Sequence, residues 1–544
     1  MKNIFKSLKI SLIAVVLLFT SCEEHLNVAT YNNITGSTFW QNPSDAAAAT
    51  IALNASFMSI MRGSNNQISN VDGRTDLWKS GTLGPRLTGP VEGHFQTSNS
   101  GTGGWRSYYQ IIHDANLLFA NIDNIDFPEE SEKNNYLAIA STIRAMTYFE
   151  LVRIFGAVPL VTEPTTEKPN PEDYPGRTAK TEILDYIKAD IETAIPLFAS
   201  EFGDNNFVNK LSALALKADV YMWTAKALTP RGSSISADLN TAISAIQAIE
   251  DSGELTFASN YADIYTRSAN SSPEFILANY YENGLESSNY AHASIRDNAV
   301  PDQYKVFDNE GNVTRKLFPY AVENEGLTRM SYGDNLDVIY NKYQTVDIHD
   351  DPFNQWDDDD VDGSLLVPPT QQVLRYDRRD LRYINNVINI AGSDDQVVIK
   401  YPGIEDLGAA RRWYDNDLPL YTLTSMLLLK AEAYNTLGQP ENAIAIMDMT
   451  RARAGLAAYP GARDQATIED ELLDEAAREL FGENRRWWHL IREHKVAENV
   501  PRFMTERGND ETDASVWNFY YWPIAESLLI ANGNLEQSPG YGTN

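Results

Sequence analysis

Asp72, Arg74, Asp76 and Trp78 crowd one short glycine-flanked stretch, and Asn99 follows within the same glycine-rich segment. Far downstream, Tyr280-Tyr281, Asn289-Tyr290 and Arg296 lie together, and Trp356 sits in an acidic run. Flat aromatic rings stack on the C–H faces of pyranoses, while carboxylate, amide and guanidinium groups bond their hydroxyls. These segments hold the ingredients of a carbohydrate site. Trp78, Tyr290 and Trp356 are the expected stacking rings, with Asp72, Arg74, Asn99, Tyr281 and Arg296 as hydroxyl partners. The same rings would also serve to pack a loop onto a scaffold.

Asp358, Asp360 and Asp362-Gly363 spell DxDxDG, the first half of an EF-hand loop, in which alternate carboxylates converge on one Ca2+ and the glycine permits the turn. Pro369 stands where the bidentate Glu of a full EF-hand would be. The expectation is therefore a calcium-stapled loop beside Trp356, or else a solvated acidic turn. No cofactor is required by any motif. The chain has no HExxH, GxSxG or GxxxxGK[ST] pattern. His489 and His494, five apart, do not share a helical face as a zinc pair would. The 75 acidic residues leave a glycosidase carboxylate pair open as an alternative.

Cys22 is the single cysteine of 544 residues, so no disulfide forms. It follows a basic start (Lys2, Lys6, Lys9) and an apolar run from Ile10 to Phe19, too short to cross a bilayer but suited to a signal-peptide core. The pattern resembles a lipoprotein signal covering 1–21, with Cys22 as the acylated first mature residue, although Phe19 replaces the usual Leu. An exported chain without disulfides relies on a large core, which this length permits. The net charge of −31 opposes nucleic acid and anionic lipid headgroups, and favours a neutral ligand. Attachment to the membrane rests on the lipid alone.

The elements that must carry these residues are mostly helical. Ala138, Ala145, Phe149, Val152 and Phe155 share one face of a helix over Tyr136 to Phe155, stopped by Gly156 with Pro159 beyond. Amphipathic segments follow at 180–199, 210–227 and 239–252. A helix pair spans Leu420 to Leu437 and Pro440 to Ala454, and Thr467 with Asp470 suggests a capping box for a last helix reaching about His494. Tyr434, Leu437-Gly438 and Ala443 fit part of the tetratricopeptide pattern. Residues 63–104, with nine glycines, and 257–417, rich in Tyr, Asn, Asp and Pro, break the helical regime. Rigid helices bracing irregular loops is an arrangement for binding.

Several separated blocks also carry a family resemblance. Phe39-Trp40 with Asp45-Ala46 comes first, then Trp105, Tyr108-Tyr109, Ile112 and Ala115-Asn116. Arg144-Ala145, Tyr148-Phe149, Leu151, Arg153, Phe155-Gly156 and Val158-Pro159-Leu160 form the most recognisable block. Later come Leu427-Leu428, Ala431-Glu432-Ala433, Arg451, Arg453 and Ala454-Gly455, then Arg478-Glu479-Leu480, Glu483 and Arg486-Trp487. Pro523-Ile524, Glu526, Asn532, Leu535, Gln537 and Pro539-Gly540-Tyr541 close the chain. His489, Asn484 and Ser538 depart from the usual Asp, Gly and Asn. In this order the blocks resemble the SusD/RagB family of surface glycan-binding lipoproteins. That resemblance implies a mainly α fold, a tetratricopeptide-like scaffold with a loop-rich binding region. It divides the chain into 22–256, a variable region 257–417, and 418–544. It also implies oligosaccharide capture outside the cell and a SusC-like TonB-dependent outer-membrane transporter as partner, with Glu23-Glu24 resembling a surface-export tag. The alternatives are a peptide-binding member of the same superfamily and a surface glycosidase. Trp40, Trp105, Trp487 and Trp488 fall in the shared helical blocks and read as core.

Overall fold

The computed structural model describes residues 39–62, 71–80, 105–165, 169–200, 202–265, 268–281, 415–501 and 520–538, with Tyr541 and short pieces between 305 and 413. The signal segment and Cys22 lie outside them. The helices are α1 (Pro43–Arg62), α2 (Arg106–Asn121), α3 (Glu130–Phe155), α4 (Lys180–Ala194), α5 (Lys210–Met222) and α6 (Ser236–Asp251). After the variable region's short α7 (Leu381–Asn386) come α8 (Leu423–Thr436), α9 (Pro440–Arg453), α10 (Gln465–Glu479) and α11 (Arg486–Arg492).

Helix α3 is the axle. From Ala138 to Phe155 nearly every residue is buried, which marks a helix packed on all sides. It ends where Gly156 takes φ +74°, a backbone region costly for residues with a Cβ, and the Gly156 N–H closes on Val152 O at 2.9 Å. From α3 the chain runs through packed neighbours: α3 on α4, α4 on α5, α5 on α6, α6 on α8, α8 on α9, with α10 against both members of the last pair. Helices α1 and α2 cover the other flank of α3. This is a tetratricopeptide-like scaffold. The α8–α9 turn shows why short loops suffice. Gly438 at φ +74° lets Gln439 N reach back to Tyr434 O at 2.9 Å, and Pro440 opens α9 where its missing N–H costs nothing.

Three boundaries differ from expectation. Residues 418–422 are strand rather than helix, so α8 starts at Leu423, capped by Thr422 with Ser425. Asp464, not Thr467, caps α10, its carboxylate accepting from Thr467 N at 3.0 Å. The last helix is also two helices, because Gly482 and Asn484 both adopt left-handed backbone, at φ +73° and +58°. Those are two of the residue types that tolerate that region best.

The described strands pair two by two. β1 (Trp78–Ser80) pairs with β5 (Met330–Tyr332), and β2 (Phe275–Asn279) with β10 (Leu418–Thr422). β3 (Lys305–Phe307) pairs with β4 (Val313–Lys316), β6 (Val387–Asn389) with β7 (Gln396–Val398), and β8 (Ile404–Asp406) with β9 (Arg411–Trp413). All are antiparallel. The β2–β10 seam brings both ends of the variable region to one place, so 280–417 is an excursion that leaves and returns at the same edge. β1–β5 then ties the first irregular segment to the second.

Buried charge pins that excursion to the scaffold. The Arg382 side chain, fully enclosed, bonds Asp380 at 2.7 Å, Glu475 at 2.6 Å and Glu479 at 3.0 Å. Lys400 bonds Glu483 at 2.7 Å and the carbonyls of Phe481 and Glu479 at 2.9 and 3.1 Å. Arg478 donates to Glu475 at 2.8 Å and to Ile339 O at 3.0 Å. Burial opposes the Glu475 charge, but Arg382 and Arg478 together hold that carboxyl well below its usual range. Such groups persist inside only when fully paired.

Candidate functional site

The four expected glycan-binding residues that are described, Asp72, Arg74, Trp78 and Tyr281, do not gather on an open platform. Asp72 and Arg74 form a buried turn under the C-terminal segment: Arg74 donates to Tyr520 O at 2.7 Å and lies 4.1 Å over the Trp487 ring. Asp72 accepts from Asn484 N at 3.1 Å. Trp78 is 2% exposed and stacks on Phe481 with ring centroids 5.0 Å apart. Tyr281, 5% exposed, donates its backbone N–H to Asp417 at 2.7 Å and takes Arg62 over its ring at 5.9 Å. Rings and polar groups enclosed in this way present no face to a ligand, which corrects the expectation for Asp72, Arg74, Trp78 and Tyr281. They pack the irregular segments onto the scaffold. Asn99, Tyr290, Arg296, Trp356, Asp358, Asp360 and Asp362 lie outside the described residues. Among the described residues no group of three or more His, Cys, Asp or Glu is placed to hold a metal ion. Trp105, Trp487 and Trp488 are core, as read from the sequence, and Trp40 is half-buried.

The structure instead opens a cleft where the two irregular segments leave the scaffold. It spans about 810 Å3 of space, open solvent included. The C-terminal turns of α1 supply Phe57, Ile60 and Met61, and α3 supplies Phe149, Glu150 and Arg153. Tyr108 comes from α2, Leu418 to Tyr421 from β10, and Gly482 to Arg485 from the left-handed turn before α11. Each part follows from local sequence. Glu150 and Arg153 are three apart, hence on one helical face, and form an ion pair. The φ of Gly482 and Asn484 throws Arg485 back across Tyr421, with its guanidinium 4.6 Å above the ring.

Behind the lining of the cleft, Asp219 of α5 ties its polar end together. Its carboxylate bonds Arg153 at 3.1 Å and the Tyr421 hydroxyl at 3.2 Å, with Arg485 at 3.6 Å and Arg492 at 4.0 Å. Arg492 has its own partner in Glu432, at 2.7 Å. Tyr108 stands beside the Glu150–Arg153 pair, and burial, aided by the Glu150 charge, raises its phenol well above the usual range, keeping the hydroxyl protonated. The cleft thus offers carboxylate acceptors, guanidinium donors and phenol hydroxyls against an apolar wall. That mixture suits a ligand with hydroxyls on its edges and C–H on its faces.

Glu150, Asp219 and Arg485 escaped the sequence reading, and Tyr108 and Arg153 entered it only within the blocks that carry the family resemblance. The available signal was Glu150 and Arg153 set among Phe149, Leu151, Val152 and Ile154, charges inside an otherwise apolar helix.

A helical-hairpin scaffold with an irregular excursion seated on its edge defines the class of protein, and comparison with known proteins agrees. Residues 405–541 match the model of the SusD family, and residues 90–222 match one described as starch-binding, associating with the outer membrane. SusD-like protein P38 of Formosa agariphila is 26% identical over 99% of both chains. A SusD superfamily crystal structure from Bacteroides fragilis superposes with a TM-score of 0.72 at 20% identity, covering 93% of this chain and all of that one. A laminarin-binding SusD-like protein superposes at 0.64, also at 20% identity, over 92% of this chain and all of that one. The chain is thus similar to the SusD family in both of these segments and, at lower identity, along its whole length. Among the described residues no helix is long and apolar enough to cross a membrane.

Proposed function

We propose that the protein is a surface-exposed lipoprotein, anchored to the outer membrane through Cys22, that binds a neutral oligosaccharide or polysaccharide and delivers it to a SusC-like TonB-dependent transporter. The observation that carries the reading is the cleft: paired charges and phenols facing an apolar wall, at the junction of the two irregular segments. Its charges are matched in sign, and the chain's net charge of −31 repels anionic polymers. The starch and laminarin named for its relatives belong to the same neutral class of ligand. Capture and delivery break no bond, and the protein acts as a binder without catalysis. In this reading Asn99, Tyr290, Arg296 and Trp356 extend the site outward, and Asp358, Asp360 and Asp362 brace it with Ca2+.

Affinity electrophoresis tests the reading. The purified mature protein should be retarded by neutral polysaccharides such as laminarin or amylopectin, weakly affected by salt, and should pass alginate gels unretarded. Co-purification with a TonB-dependent transporter from detergent extracts tests the partner. The enclosed, largely apolar lining also favours a peptide as the rival occupant, so a peptide library runs in parallel. Peptide binding without glycan binding would overturn the proposal.

A further inference from the structure

Resting on that reading, we propose a second glycan subsite on the surface at Tyr280, whose ring stacks on a neutral pyranose while the turn 204–206 takes the sugar's hydroxyls. The rings expected to meet sugar are enclosed where they are described, Trp78 at 2% and Tyr281 at 5% exposure, whereas Tyr280 is 37% exposed. Among the described residues it is the one aromatic in the set of large exposed hydrophobic side chains. Tyr280 follows β2 directly, at the point where the excursion leaves the scaffold. A ring exposed at a strand end has surface to lay against the C–H face of a sugar, and a Tyr gives up little rotamer freedom in doing so.

The polar partners come from the run Phe202-Gly203-Asp204-Asn205-Asn206-Phe207, in the connection between α4 and α5. Phe202 and Phe207 are half-buried and pack against the core, which anchors the polar turn between them. That turn grips the end of β2: Asn205 O accepts from Ala278 N at 2.8 Å, and Asn206 Nδ2 donates to Ala278 O at 3.0 Å. Asn206 Nδ2 also reaches the Asp417 carboxylate at 3.4 Å, whose other oxygen accepts the Tyr281 N–H at 2.7 Å. The residues on either side of Tyr280 are thus tied, directly or through Asp417, to the same turn. Asp204 is exposed, and one of its oxygens accepts from Asn206 N at 2.8 Å, which orients the other. Both N–H groups of the Asn206 amide are committed, so the turn offers a ligand acceptors: Asn206 Oδ1 and the second Asp204 oxygen, to which nothing donates among the described residues. Two acceptors two positions apart suit neighbouring hydroxyls of a pyranose, each donating its hydrogen. The carboxylates of Asp204 and Asp417 repel an anionic sugar.

Affinity electrophoresis of the mature protein in laminarin, amylopectin, xylan and galactomannan first finds a polymer that retards the parent. In that polymer Tyr280→Ala should weaken binding by about two- to tenfold, the effect of losing one stacked ring. Asp204→Ala should weaken it by about three- to tenfold, the effect of losing one hydrogen bond. Tyr280→Phe keeps the ring and should bind like the parent, which separates stacking from a disturbance of the local fold. Thermal unfolding confirms that the three variants fold. Parent-level binding by either folded alanine variant, or a loss in Tyr280→Phe equal to that in Tyr280→Ala, overturns the subsite and leaves glycan capture standing. A parent protein that none of the four polymers retards overturns both.

Discussion

The joint between Asp72 and Asn484 should leave a signature in how stability varies with pH. Asp72 belongs to the first irregular segment and accepts the N–H of Asn484, whose left-handed backbone shapes the mouth of the cleft. Burial pushes its carboxyl up to about 7 from 3.8, only partly offset by the backbone N–H groups of Asn484 and Arg486. The folded protein therefore keeps this proton across a range in which the unfolded chain has released it. Stability from this group is full below about pH 4 and declines as pH rises toward 7. Each pH unit in that window costs about 1.4 kcal/mol, so between about pH 5 and 7 the parent should lose about 2–3 kcal/mol through Asp72 alone. Asp72→Asn retains an acceptor oxygen but cannot ionise. Urea denaturation of parent and variant, compared at steps from about pH 5 to 8, isolates the effect, because any pH-independent cost of the substitution cancels in the slope. The difference should move by that amount in the variant's favour and level off above pH 7. Parallel stability curves would refute the argument that this carboxyl is held neutral inside the fold.

Trp78→Ala should lower stability by about 3–5 kcal/mol in the same denaturation assay, as expected for emptying a buried aromatic site. A loss below about 1 kcal/mol would mean that the ring does not pack on Phe481. Glu475→Gln leaves Arg382 and Arg478 without their shared counter-charge and should cost about 3–5 kcal/mol. It should also loosen the variable region before the scaffold melts, read as earlier proteolytic cleavage within 280–417. If Asp358, Asp360 and Asp362 hold calcium, Ca2+ should raise Tm, EDTA should reverse the rise, and Asp360→Asn should abolish it. No change in the parent would leave the loop a solvated turn.

The scaffold was legible because its signals are local. Gly156 and Gly438 punctuate the helices through backbone freedom and Pro440 through its fixed φ, whereas the single face read from Ala138 to Phe155 is only part of a helix that is buried on nearly every side. The α10–α11 break was missed because Asn484, an unremarkable polar residue in sequence, takes the same backbone region as Gly482. Asp72, Arg74 and Trp78 were misplaced for a different reason. Glycine-rich composition marks an irregular segment but does not say which of its side chains turn inward, and here Phe481, Trp487 and Asn484, some 400 positions away, provide the interior. The cleft is less legible still. Its walls come from segments that converge only when the helices stack, so no window of sequence contains it. What the sequence does display is the cost of building it: Glu150, Arg153 and Asp219, charges in helices otherwise fit for a core.

Hydrogen–deuterium exchange of the mature protein, with and without a saturating neutral oligosaccharide that retards it in gels, puts the central claim to the most direct test. Bound sugar should slow exchange at residues 57–62, 418–421 and 482–485 together, the three stretches that meet at the cleft and share no sequence neighbourhood. Saturation without protection at any of the three would place the ligand elsewhere and contradict the account.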